Sequence, residues 1–161
     1  MTKEELGTLI LASERQFYAT AKTILYNDHD CADAIQETIV KAFVKLPTLK
    51  KDAYAKTWLI RILINECYNI LRKENRQELL KDRRKNCLKQ TEETTDYSEL
   101  YDTIHALKEK LQIPVVLYYM EDFSIKEIAQ ILHISEGAVQ KRLARARREM
   151  KEELQKREAY I

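Results

Sequence analysis

Only two glycines and two prolines interrupt the 161 residues of this chain, so few positions can host a left-handed turn or stop a helix outright. Charged residues make up 34% of it, and Leu, Ile, Ala, Lys and Glu dominate, a composition that favours long helices with short connections over any β architecture. The expected fold class is all-α, with two small helical domains joined by a flexible linker.

The apolar spacing supplies the elements. Thr2 followed by Glu5 carries a capping-box signature, and Leu6, Leu9, Ile10, Phe17, Ala21, Ile24 and Leu25 then recur at helical intervals. This amphipathic segment runs to Tyr26, with a candidate interruption near Ser13. The polar tetrad NDHD at 27–30 reads as a turn. In "CADAIQETIVKAFVKL", Ala34, Ile35, Ile39, Ala42, Phe43 and Leu46 fall on one face, and Asp33, Gln36, Glu37 and Lys41 on or beside the other.

Pro47 closes that helix, and PTLKKDAY follows as a short basic loop. "KTWLIRILINECYNILRKENR" reads as a third helix, with Trp58, Leu59, Ile62, Leu63, Tyr68 and Leu71 turned inward and Arg61, Asn65, Asn69, Arg72 and Lys73 left on outer or flanking positions. Trp58, beside Leu59 and Ile62, is expected to pack in the core rather than stack on a base. From about Glu74 to Tyr97 the periodicity fades into charge and QTEETTD, the pattern of a helix tail and linker. The expected boundaries are 1–76 for the first domain, 77–99 for the linker and 100–161 for the second.

Beyond the linker, 100–111 and 115–120 form two apolar helical stretches, separated or kinked near Pro114. A second capping box, Ser124 with Glu127, starts "IKEIAQILHISEGAVQKRLARARREM". Its first helix buries Ile128, Ala129 and Leu132, HIS at 133–135 makes the turn with Ser135 as N-cap, and a new helix begins at Glu136: a helix-turn-helix. His133 is read as a turn residue rather than a ligand or an acid-base group. At 100° per residue, Val139, Leu143, Ala146 and Met150 form an inward stripe, while Gln140, Lys141, Ala144, Arg145 and Arg148 point away.

That outward face suits a DNA major groove. Gly137 and Ala144 allow close approach, Lys141 and Arg145 are placed for base edges, and Arg142, Arg147 and Arg148 for backbone phosphates. The plainer alternative is a solubilising helix whose arginines pair with Glu149, Glu152 and Glu153. Charge along the chain favours the first reading. The overall +2 conceals seven basic against three acidic residues over 47–76 and eight against five over 135–161, with the other segments acidic or near neutral. Two separated basic blocks are what two contacts with a polyanion require.

Other classes find little support. The three cysteines, Cys31, Cys67 and Cys87, are odd in number and widely spaced, which suggests plain thiols and neither a disulfide framework nor a zinc site. No phosphate-cradling glycine loop, nucleophile elbow or metal-spaced His/Cys set occurs, so no enzyme, metal or cofactor is expected. No stretch approaches the roughly 20 apolar residues of a membrane span, and MTKEELGTLI lacks the order of a signal peptide. The expected location is the cytoplasm.

"LYYMEDFSIKEIAQILHISEGAVQKRLARARREM" resembles the C-terminal, promoter-binding domain of extracytoplasmic-function (ECF) sigma factors. "CADAIQETIVKAFVKL" is similar to the helix by which they grip core RNA polymerase, and "YAKTWLIRILINECYNILRK" to their promoter-melting helix. The resemblance implies that Asp33, Gln36 and Glu37 contact core polymerase. It implies that the loop around Leu49, Lys50, Lys51 and Ala53 holds a base flipped from the −10 element with Lys56 nearby, and that Arg61, Asn65, Asn69 and Arg72 lie along that DNA. It further implies that the helix carrying Gln140, Lys141, Arg142, Ala144, Arg145, Arg147 and Arg148 reads the −35 element. An anti-sigma partner, commonly membrane-anchored, would mask these faces, and no small-molecule substrate is implied.

Two departures from the family pattern are visible. Leu107-Lys108 stands where Leu-Pro is usual, and Gly137-Ala138-Val139-Gln140 where Gly-Thr-Val-Lys is usual, removing a hydroxyl and a positive charge. Two rival classes remain at this point. A conventional helix-turn-helix regulator would bind promoter duplex without polymerase, and a helical adaptor would tolerate neutralisation of Lys141 and Arg145.

Overall fold

The computed structural model describes residues 1–78 and 98–158, all of their regular structure helical. The chain divides into two compact units, Met1–Glu92 and Glu93–Ile161. The expected linker 77–99 loses two residues at each end: residues 77–78 belong to a helix and so do 98–99, while the rest of it, with Cys87, lies outside the described residues.

The first unit contains α1 (Lys3–Ile24), α2 (Asp28–Lys45) and α3 (Ala55–Glu78). Thr2 starts α1 through a complete capping box: its hydroxyl accepts the Glu5 N–H at 3.1 Å, and the Glu5 carboxylate accepts the Thr2 N–H at 2.8 Å. No break occurs at Ser13, which is buried within a continuous helix. The helix ends at Ile24 rather than Tyr26, because Leu25 turns extended. The NDHD tetrad is mostly helix: Asn27 accepts the Asp30 N–H at 2.8 Å and caps α2. Lys22 Nζ donates to Asp28 at 2.8 Å and the Tyr18 hydroxyl donates to the same carboxylate, and together they hold its pKa below the ordinary range.

Each of the three helices packs against the other two. Phe17, Leu6, Ile24, Leu25, Leu59, Ile60 and Leu63 are fully enclosed, each contributing roughly 1.5–3 kcal/mol of burial. The inward stripe of α2 is Cys31, Ala34, Thr38 and Ala42. Ile35, Ile39, Phe43 and Leu46, expected inside, are only half-buried. Small side chains let α2 sit closely between its neighbours, and Thr38 satisfies its hydroxyl by donating to the Ala34 carbonyl at 2.7 Å. Trp58 is likewise half-buried at the edge of this core, and Leu71 is half-buried too.

The second unit contains α4 (Ser98–His105), α5 (Glu109–Val115), a π-helical turn (Val116–Met120), α6 (Ile125–Leu132) and α7 (Glu136–Glu158). The chain breaks at 106–108, not at Pro114, which is buried inside helical structure. The backbone ladder continues past it because the Val116 N–H reaches the carbonyls of Gln112 and Ile113, and the Glu121 N–H closes the wider turn on Val116 at 3.2 Å. Buried Gln112 donates Nε2–H to the Ile104 carbonyl at 3.1 Å, satisfying an end carbonyl of α4.

The helix-turn-helix has both expected caps. Ser124 and Glu127 form the box at the start of α6, and the Ser135 hydroxyl accepts the Ala138 N–H at 3.1 Å at the start of α7. Ile128, Ala129 and Ile131 are buried in α6. Leu132, expected inside, is half-buried because the chain leaves the helix there. His133 makes that exit at φ 57° and ψ 43°, in the left-handed region, where a branched side chain costs about 1–2 kcal/mol. His133→Val is therefore expected to destabilise by about that amount and His133→Gly to be neutral or stabilising by up to about 1 kcal/mol. Urea unfolding midpoints at unchanged m-value would show it.

Candidate nucleic-acid interface

The geometry of α7 follows from its stripe. Val139, Leu143 and Ala146 are buried against α4, α5 and α6, while Met150, expected with them, is half-buried. This anchoring turns Gln140, Lys141, Ala144, Arg145, Arg147 and Arg148 to the exterior, with Arg142 half-buried at the edge. Arg145 Nε lies 3.4 Å from Glu149, a loose surface pair. Arg147 Nη1 donates to the Tyr119 hydroxyl at 3.0 Å, so it is steadied by the π-helical turn. Lys141 and Arg148 join no ion pair among the described residues. A Cβ added at Gly137 would meet nothing nearer than the Ser135 hydroxyl at 4.0 Å, so the protein's own packing does not demand glycine there.

In the first unit, Arg61, Asn65, Asn69 and Arg72 are all exposed along one face of α3, and Arg72 lies over the Tyr68 ring at 6.0 Å. Leu49 is half-buried, Lys50, Lys51 and Ala53 are exposed, and Lys56 is half-buried in the first turn of α3. The basic loop has more form than its sequence suggests: 3-10 turns at Leu46–Thr48 and Asp52–Tyr54 bracket it. Asp52 also accepts the Met1 ammonium at 2.9 Å, which raises the pKa of that amine.

Asp33, Gln36 and Glu37 are exposed on α2, Asp33 at 3.5 Å from His29 Nε2. The structure brings all three into one groove of about 650 Å³ with Asn69 and Arg72 of α3. At this groove Lys41 Nζ donates to Glu66, a buried carboxylate, and the bond raises the lysine's pKa. Sequence reading placed Lys41 on the polar side of α2 without finding this partner.

Other residues missed by sequence are visible on these surfaces. Tyr54, 53% exposed, stands on the basic loop, flagged only by being an aromatic among lysines. Val40 and Val44 are 53% and 73% exposed and share the face of Asp33 and Glu37; their four-residue spacing on a polar face was the available signal. Cys31 and Cys67 are fully buried, and burial pushes the Cys31 thiol up to about 12 and the Cys67 thiol upward as well. Among the described residues no group of three or more His, Cys, Asp or Glu is placed to hold a metal ion, and no helix is long and apolar enough to cross a membrane.

A helical unit with a basic loop and an amide-and-arginine face, accompanied by a helix-turn-helix with a cationic outer face, has the features of a DNA-binding protein. The comparisons specify which. The family model for Sigma-70 region 2 matches residues 9–77 and that for Sigma-70, region 4 matches residues 97–150. The RNA polymerase sigma factor SigV of Bacillus subtilis is 29% identical over 156 residues, 96% of this chain and 94% of its own. The ECF RNA polymerase sigma-E factor of Salmonella typhimurium is 30% identical over 134 residues, 73% of this chain and 70% of its own. RpoE of Bartonella quintana, solved in complex with the anti-sigma factor NepR, shares the fold at a TM-score of 0.73 and 23% identity, over 95% of this chain and 96% of that one. CnrH, solved with the cytosolic domain of CnrY, does so at 0.72 and 23%, over 96% and 90%.

The chain belongs to the ECF sigma factors: it binds core RNA polymerase and directs promoter-specific transcription initiation, and it is not itself an enzyme. A region 2 match ahead of the helix-turn-helix leaves no room for the conventional regulator or the adaptor.

Proposed function

We propose the following division of labour, carried chiefly by one observation: the residues turned outward by the packing of α3 and α7 are amide and cationic side chains in continuous stripes. Residues 1–76 hold core polymerase and the −10 element. Asp33, Gln36 and Glu37 face the polymerase, with exposed Val40 and Val44 supplying the apolar centre that charged contacts alone lack. Leu49, Lys50, Lys51 and Lys56 surround a base extruded from the −10 element, Tyr54 offers it an aromatic face worth about 1–3 kcal/mol of stacking, and Arg61, Asn65, Asn69 and Arg72 track the adjoining strand.

Residues 100–161 read the −35 element, joined to the first domain by the linker at 77–99. Lys141 and Arg145 take base edges, Gln140 and Ala144 lie over the groove floor, and Arg142, Arg147 and Arg148 take phosphates. The protein acts in the cytoplasm under an anti-sigma factor, in some settings a membrane-anchored one. The partners seen on RpoE and CnrH support this control.

Run-off transcription with purified core polymerase and a pool of promoter fragments tests the whole reading: a specific subset is transcribed only when both proteins are present. Asp33→Ala with Glu37→Ala removes two exposed charge contacts at roughly 0.5–1 kcal/mol each, so core affinity is expected to fall about five- to thirtyfold with thermal unfolding unchanged. Unaltered core affinity in a titration would remove these residues from the polymerase interface.

A further inference from the structure

On the outer face of α7 one polar side chain differs in chemistry from its cationic neighbours. Gln140 is exposed, and its amide joins no hydrogen bond among the described residues. Val139 behind it is wholly enclosed and Leu143 is 1% exposed, so the backbone that carries Gln140 is fixed from beneath. Its neighbours along the helix surface, three residues back and four residues on, are Gly137 and Ala144, both exposed. Neither is long enough to hold the helix away from a duplex. A Cβ at Gly137 would meet no atom nearer than 4.0 Å, so internal packing does not account for the glycine. A close approach from outside the protein does.

We propose that Gln140 is a base-reading residue that selects adenine at one position of the −35 element. The inference rests on the assignment of α7 to that element and deepens it, from the helix that reads to a base that is read. The chemistry of the amide makes the choice. Adenine presents N7 as an acceptor and its N6 amino group as a donor at the major-groove edge. A carboxamide offers the complementary pair, donating Nε2–H to N7 and accepting N6–H at Oε1. Guanine presents two acceptors, N7 and O6, and would leave Oε1 facing an oxygen. Lys141 and Arg145 carry donors only and are matched to guanine instead. The small residues on either side of Gln140 supply the remaining requirement, since a two-point contact forms only where the helix lies close to the base edges. The lysine usual in the family at this position carries donors alone, so the preference for adenine belongs to this chain's own sequence.

The test uses the full chain assembled with core polymerase and competing promoter duplexes that carry every single-base substitution across the −35 element. The parent is expected to favour adenine at one position by about 5- to 150-fold. Gln140→Ala should flatten that position and leave the others as they were, and Gln140→Lys should move its preference to guanine. 7-Deazaadenine at the same position keeps Watson–Crick pairing but lacks the N7 acceptor, so it should weaken the parent and leave Gln140→Ala unaffected. Unchanged preferences at every position in Gln140→Ala overturn the proposal, as does an even loss across all duplexes, the mark of a phosphate contact. A Gln140-dependent position that favours another base overturns it as well. Lys141→Ala and Arg145→Ala, measured in parallel, separate the two ideas. If none of these variants alters any preference, the −35 assignment of α7 fails. If Lys141→Ala or Arg145→Ala does so and Gln140→Ala does not, only the present inference falls.

Discussion

Arg145→Ala and Lys141→Ala are each expected to reduce discrimination between matched and mismatched −35 elements by roughly 1–3 kcal/mol, about 5- to 150-fold, without lowering thermal stability. Both side chains are exposed on a helix held from beneath by Val139, Leu143 and Ala146, so truncation removes nothing from the core. Arg145 must leave a 3.4 Å surface pair with Glu149 to reach DNA, an exchange costing less than about 1 kcal/mol. Arg148→Ala provides the contrast: loss of a phosphate contact weakens all duplexes evenly and shortens the salt slope by about 1. Competition binding of the holoenzyme to duplexes differing at single −35 positions measures both quantities. A discrimination ratio indifferent to Lys141 and Arg145 would show that other groups read the sequence.

The second large effect lies in the first unit, where Lys41 of α2 pairs with Glu66 of α3. Glu66 is 7% exposed, so Lys41→Ala leaves a buried carboxylate without its cation, at an expected cost of about 1–3 kcal/mol. Glu66→Gln keeps the shape and removes the charge, and should cost less. The double variant Lys41→Met, Glu66→Leu should recover much of the loss, and the cycle isolates the coupling. The pairing raises the lysine's pKa. Its contribution is therefore complete below the ordinary lysine pKa of about 10.4 and disappears as pH rises through the higher folded value. Denaturant unfolding from neutral to strongly alkaline pH should show an alkaline loss in the parent that is reduced in Lys41→Ala.

Helix starts were readable because capping is local: Thr2 with Glu5 and Ser124 with Glu127 announce themselves within four residues. Most of the inward stripe of α7, Val139, Leu143 and Ala146, was readable because its apolar residues keep a single period. In α2 the same method chose Ile35, Ile39 and Phe43 over Cys31 and Thr38. Hydropathy favours bulk, whereas the site between two helices favours small groups, and the cost of burying a hydroxyl vanishes once a carbonyl four residues back accepts it. Pro114 misled for a related reason, since a proline removes one donor but a following π turn restores the ladder. The outward positions of Arg61, Asn65, Asn69, Lys141 and Arg145 were legible from periodicity. The meeting of Asn69 and Arg72 with Asp33 and Glu37 in one groove, and of Lys108 with Arg142 in another, was not, because each joins elements whose contact no single-helix pattern encodes.

Cys31 on α2 and Cys67 on α3 are both wholly enclosed, and the sequence from 98 to 158 contains no cysteine. A thiol reagent can reach either sulfur only when the first helical bundle opens, since burial both blocks access and keeps the reactive thiolate scarce. Alkylation at these two positions, followed by mass spectrometry, is consequently a built-in clock for breathing of the first helical unit alone, readable while the protein is bound to core polymerase or promoter.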